Sequence, residues 1–129
     1  MDHRLHILFV AFHPSDSEVN ILSDCLLTLS NDILYSLIVN DYVPGEPVEK
    51  LFAGSHFHIC NKHNPGYGKA ANLLASHIKI LPKYIAVLNT DVVWKPCFFE
   101  SILDWLDDHN DVNLVVPRIL DTTGSTQKL

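Results

Sequence analysis

The chain has 129 residues, 47% hydrophobic and 19% charged, which is length and apolar content for one globular domain with a buried core rather than a disordered segment. A formal charge of −6, with no run of Lys or Arg, argues against a nucleic-acid binder, because that affinity rests on clustered cations that release counterions. Cys25, Cys60 and Cys97 are odd in number and widely spaced, as suits reduced thiols in the cytoplasm. The opening Met1–His6 leads into an apolar run, Ile7–Phe12, too short for a signal sequence core or a ~20-residue membrane span.

That run, ended by His13-Pro14, reads as a strand buried on both faces of a parallel sheet. Ser15 and Asp16 are N-cap types, and Val19, Leu22, Cys25, Leu26 and Leu29 recur at helical spacing, so a helix is expected over about 16–30. Tyr35–Val39 forms a second strand that stops at Asn40-Asp41. Pro44-Gly45-Glu46-Pro47 then breaks the chain before a short helical stretch over Val48–Phe52. His56–Cys60 alternates like a third, edge strand. After a glycine turn, the Ala- and Leu-rich segment Lys69–Ile80 predicts the second long helix, closed by Pro82. Tyr84–Leu88 is a fourth strand, Pro96 starts a helix carrying Phe98, Ile102, Leu103, Trp105 and Leu106, and Val112–Val116 is expected as a fifth strand. Strands alternating with helices imply parallel pairing. The expected class is therefore α/β, a mostly parallel Rossmann-like sheet with helices on both faces, in a single domain over 1–129.

Ligands of such sheets bind outside the carboxyl ends of the strands, so the residues just after each strand are the candidates: Phe12 and His13, Asn40 and Asp41, 61–68, and Asn89-Thr90-Asp91. In Asn64-Pro65-Gly66-Tyr67-Gly68-Lys69, the glycines allow close backbone approach, and the amides of a helix start, with Lys69 nearby, face an anion. Taken singly, the same turn also reads as an ordinary loop and helix start. Asp91 closes a strand with no other charge. A carboxylate there suits Mg²⁺ or Mn²⁺, whose other positions water and phosphate oxygens fill; its structural alternative is a cap for the next segment. His56, His58, Cys60 and His63 are metal-ligand types, but their spacing matches no zinc motif and an edge strand explains them equally well.

As an ordered set, Asn64, Gly66, Tyr67, Gly68 and Asn72, then Leu88, Asn89, Asp91 and Val92, then Pro117, Arg118, Asp121, Gly124 and Gln127 resemble the donor-binding half of family 2 glycosyltransferases, especially rhamnosyltransferase-like members. The resemblance spans nearly the whole chain. It implies the nucleotide-diphosphosugar transferase fold called GT-A, with Asp91 as the last Asp of the metal-binding Asp-x-Asp motif and Asn89 at its first position. It places Asp41, or Asn40, against the nucleoside base, and Phe12 and His13 where the family often has Asn-Tyr near that base. The implied activity is hexosyl transfer from a nucleotide-diphosphate sugar to a saccharide acceptor in cell-surface polysaccharide synthesis, with inversion at the anomeric carbon.

Enzymes of this kind generally carry a second half that binds the acceptor and supplies a carboxylate base. The chain stops at Leu129, so the expectation is a truncated fold with that half absent, its catalytic base unassigned and Asp121 better read as a turn residue. Trp94, Trp105, Phe98 and Phe99 are expected as packing aromatics, with Trp94 near enough to Asp91 to border the sugar. The main rival is a non-catalytic nucleotide-sugar-binding or protein-interaction module of the same fold, whose open sheet edge would favour self-association. A receiver-like signalling domain ranks last, because no acidic cluster follows the first strand.

Overall fold

The computed structural model describes residues 3–121 and 123–127; Met1 and Asp2 of the opening stretch lie outside the described residues. Four strands, β1 (Leu5–Phe12), β2 (Ile33–Asn40), β3 (His58–Cys60) and β4 (Tyr84–Asn89), form an all-parallel sheet in the order β3-β2-β1-β4. β1 is central. It pairs with β2 over its full length, from Leu5 opposite Ile33 to Phe12 opposite Asn40, and with β4 from Leu5 opposite Tyr84 to Val10 opposite Asn89. This explains its unbroken apolar run, since a central parallel strand hides both faces from water.

Helices cover both faces. Ile7, Phe9 and Ala11 pack against Val19, Leu22 and Cys25 of α1 (Asp16–Leu26), Phe99 and Leu103 of α3 (Phe98–Asp107), and Val48 and Leu51 of a single 3₁₀ turn, Pro47–Leu51. Leu8, Val10 and Ile38 face Ala70 and Leu74 of α2 (Tyr67–Ser76). At the amino end of the sheet, Arg4 Nε lies 2.6 Å from Asp32 Oδ2 and Nη1 lies 3.0 Å from Asp104, tying the starts of β1 and β2 to α3. The Ser30 hydroxyl and Arg4 together hold the Asp32 carboxyl below its usual range.

Several expected boundaries move, among them the start of α3, which lies at Phe98 with Cys97 as its cap, so that Pro96 precedes the helix. α1 ends at Leu26 because the Thr28 hydroxyl takes the Cys25 carbonyl at 2.6 Å and Leu29 N–H bonds Leu26, turning the chain before Leu29. α2 ends at Ser76 because the Ser76 hydroxyl (2.6 Å) and His77 Nδ1 (2.9 Å) both bond the Leu73 carbonyl, and Ile80 is left exposed. The third strand begins at His58, so His56 precedes it.

The expected fifth strand over Val112–Val116 does not form. Val112 N–H bonds His109 in a turn off α3, and Val115 then faces Phe98, Ile102 and Trp105 of α3 across an apolar groove of about 530 Å³. Apolar alternation there is answered by a helix rather than by a neighbouring strand. β4 thus stands at the edge of the described sheet. No helix among the described residues is long and apolar enough to cross a membrane.

Candidate functional site

The chain adds β2 and β3 on one side of β1, then returns through α2 to place β4 on the other side. The strand order therefore reverses between β1 and β4, the position where open α/β sheets form a crevice at their carboxyl edge. A cleft of about 370 Å³ opens there, lined by Val10, Phe12, Glu18, Asn40, Asn64, Gly66, Tyr67, Asn89, Thr90 and Asp91.

One wall is the start of α2. Gly66 is its N-cap, with φ 98°, a left-handed conformation that a side chain tolerates poorly. Asn64 Oδ1 accepts from the Gly66 N–H at 2.9 Å and from Asn40 Nδ2 at 3.3 Å, while Asn40 Oδ1 accepts from Asn61 Nδ2 at 3.1 Å. Asn40 is 2% exposed, so both ends of its amide are spent fastening the glycine turn to the end of β2. α2 has no side-chain N-cap and no acidic residue in its first turn. Its first intrahelical bond runs from Ala70 N–H to the Gly66 carbonyl, so the N–H groups of Tyr67, Gly68 and Lys69 precede the ladder and stay open to an acceptor.

The opposite wall is the end of β4. Asp91 is exposed, and among the described residues its carboxylate takes part in no hydrogen bond or ion pair, so it does not cap the segment that follows. Its charge reaches Tyr67: burial first, and then Asp91, raises the Tyr67 hydroxyl above its ordinary pKa. Asn89 is exposed at the strand end. Thr90 is 6% exposed, and its hydroxyl has no hydrogen-bond partner among the described residues. Phe12 stands exposed at the end of β1, its ring edge-on to His13 at 4.5 Å. Phe12 and Tyr67 thus give the cleft two open aromatic rings over a floor of amides and carboxylates. The oxygen donors present are hard ligands of the kind Mg²⁺ and Mn²⁺ take, with one or two carboxylates and the rest from water or phosphate.

The other residues read from sequence lie outside this lining. His13 has φ 47° and its Nδ1 sits 2.9 Å from Glu46 Oε1, which turns it toward the loop after β2. Asp41 has φ 50° and its N–H bonds the His63 carbonyl, so Asn40 faces the cleft and Asp41 does not. Gly68, Lys69 and Asn72 lie on exposed parts of α2 beyond the cleft wall. Trp94 is buried against Phe99 at 5.0 Å and belongs to the core instead of bordering a sugar. His58 stacks flat on Phe52 at 3.9 Å, and His56 packs edge-on to His6. Among the described residues, no group of three His, Cys, Asp or Glu is placed to hold a metal. Asp121 is a turn residue: its Oδ1 accepts from Thr123 N–H, Thr123 Oγ1 and Ser125 N–H.

Thr90, one of the strand-end candidates, lines the cleft, and so do Val10 and Glu18, which the sequence reading does not single out. Glu18 had a readable signal, since Ser15-x-x-Glu18 is the pattern of a helix-start capping box. No protein-family model matches the chain, and no curated protein matches it.

The two glycines of the turn separate stability from ligand approach. Gly66→Ala forces a side chain into φ 98° and is expected to lower stability by about 1–2 kcal/mol in urea unfolding. A Cβ at Gly68 meets nothing within 4 Å, so Gly68→Ala should instead stabilise α2 by about 0.5–1 kcal/mol.

Proposed function

We propose that the chain is the donor-binding domain of a GT-A-type glycosyltransferase, a cytoplasmic protein that binds a nucleotide-diphosphate sugar and takes part in transfer of the sugar to a saccharide acceptor. The observation that carries this reading is the meeting, across one cleft, of the uncapped start of α2 and the uncommitted Asp91. The open amide of Tyr67, which lines the cleft, supplies a donor and the start of α2 a positive dipole end for a phosphate. Asp91 would hold Mg²⁺ or Mn²⁺, which when bound neutralises the charge that gathers on the departing diphosphate. Phe12 and Tyr67 offer flat faces to a base or a sugar ring, while Asn40 and Asn64 hold the turn still, so little ordering is left to binding. The motif order Asn64 to Asn72, Leu88 to Val92 and Pro117 to Gln127 adds support from resemblance.

A second reading, a non-catalytic nucleotide-sugar-binding or protein-interaction module, draws on the outer face of β4. There Ile85 and Val87 stand exposed beside a strand edge that no described strand pairs. A thermal-shift series separates nucleotide-sugar binding from the protein-interaction module. Nucleoside diphosphates and their sugars, with and without Mn²⁺, should raise the melting temperature by several degrees when present at about 100 times Kd, which corresponds to about 2.7 kcal/mol. No shift with any of them would leave the interaction module as the better reading. Release of free nucleoside diphosphate from a donor sugar on adding saccharide acceptors would mark transfer.

A further inference from the structure

The cleft lining holds two carboxylates, Glu18 and Asp91, and no cationic side chain. Glu18 is the third residue of α1, where the carboxylate of a capping box would reach back to the N-cap backbone. Only half of that box is made: the Ser15 hydroxyl accepts from Glu18 N–H at 3.1 Å, while the Glu18 carboxylate has no hydrogen bond or ion pair among the described residues. It lines the cleft instead, as Asp91 does from the end of β4. Thr90, 94% enclosed, lines the same cleft with a hydroxyl that no described residue satisfies.

These charges decide what form of diphosphate the cleft accepts. A free diphosphate would approach two carboxylates with only the α2 amides to offset their repulsion, whereas a divalent cation turns both carboxylates into attractions. Mg²⁺ and Mn²⁺ use one or two carboxylates and keep several waters, so a pair is enough. We propose that Glu18 is the second carboxylate of this cleft and shares with Asp91 the divalent cation of the bound nucleoside diphosphate, directly or through the cation's water. The cleft then takes the diphosphate as its metal chelate and rejects the free anion. This rests on the nucleotide-sugar reading above.

The test compares the unaltered chain with Glu18→Gln and Asp91→Asn, using Mn²⁺ alone by electron paramagnetic resonance, and UDP, GDP, ADP and dTDP by calorimetry with Mn²⁺ or with EDTA. The diphosphate that binds the unaltered chain should bind at least ten-fold more tightly with Mn²⁺. Glu18→Gln should lose at least ten-fold of that affinity while affinity in EDTA stays level or rises, and the fraction of Mn²⁺ bound without nucleotide should fall. Full retention of the Mn²⁺ gain in Glu18→Gln, with its loss in Asp91→Asn, overturns the role of Glu18 and leaves the nucleotide reading standing. Should no diphosphate bind, the nucleotide reading fails and the Mn²⁺ signal alone decides on the pair: bound Mn²⁺ lost in both variants supports it, and bound Mn²⁺ unchanged in Glu18→Gln overturns it.

Discussion

Replacing Asp91 by Asn is expected to lower Mn²⁺-dependent affinity for a nucleoside diphosphate by on the order of 100-fold, about 2.7 kcal/mol, while leaving the folded state as stable as before. The two halves of this expectation come from the same observation. The carboxylate is exposed and makes no bond among the described residues, so the isosteric amide removes no internal contact and stability should stay within about 0.5 kcal/mol. What it removes is the negative charge a hard cation needs. Calorimetry with Mn²⁺ and the diphosphate that gives the largest thermal shift measures the first half, and urea unfolding the second. Unchanged affinity would reject Asp91 as a cation ligand; reduced stability would mean that its carboxylate has a structural partner after all.

The sheet was legible where apolar runs are long and punctuated. β1, β2 and β4 each end at a polar residue or a turn, and a strand buried on one or both faces leaves that pattern whatever its neighbours are. Helix ends were not legible to the residue. Thr28, Ser76 and His77 stop their helices by capturing carbonyls with side chains, whereas the apolar spacing runs on through Leu29 and Ile80. Val112–Val116 misled for a related reason: alternation tells that a segment has an apolar side, not whether a strand or a helix will meet it.

Much of the cleft could be read because topology brings strand ends together, which makes Phe12, Asn40, Asn64 and Asn89 neighbours although they are far apart in sequence. The choice between Asn40 and Asp41 could not be read, since it turns on the left-handed φ of Asp41 and on the amide chain from Asn61 through Asn40 to Asn64. Glu18 escaped notice because a helix-start glutamate is ordinarily explained by the helix itself, and only the missing half of the capping box sets it free.

Acid should destabilise this fold as pH falls below about 6.5, because of one histidine far from the cleft. His6 lies in the middle of the sheet's amino half, 2% exposed, with Nε2 2.7 Å from the Ser36 hydroxyl and its ring edge-on to His56 and Phe57. Burial, with smaller contributions from the charges of His56 and His3, lowers its pKa from 6.5 to about 4. The folded chain therefore keeps His6 neutral over a range in which the unfolded chain protonates it. The stability this provides is complete above about pH 6.5 and is lost as pH falls toward 4, reaching about 2.5 kcal/mol at pH 4.5.

The contrast to measure is with His6→Gln, whose amide can still bond the Ser36 hydroxyl but carries no proton equilibrium. Between pH 7.5 and 4.5 the unaltered chain should lose about 2.5 kcal/mol more than this variant in urea unfolding. Because Asp32 is held below its ordinary range by Ser30 and Arg4, its protonation weakens the fold only at lower pH and does not blur the comparison. Equal losses in the two chains would show that His6 titrates alike in the folded and unfolded states, which its enclosure between β1, β2 and the approach to β3 argues against.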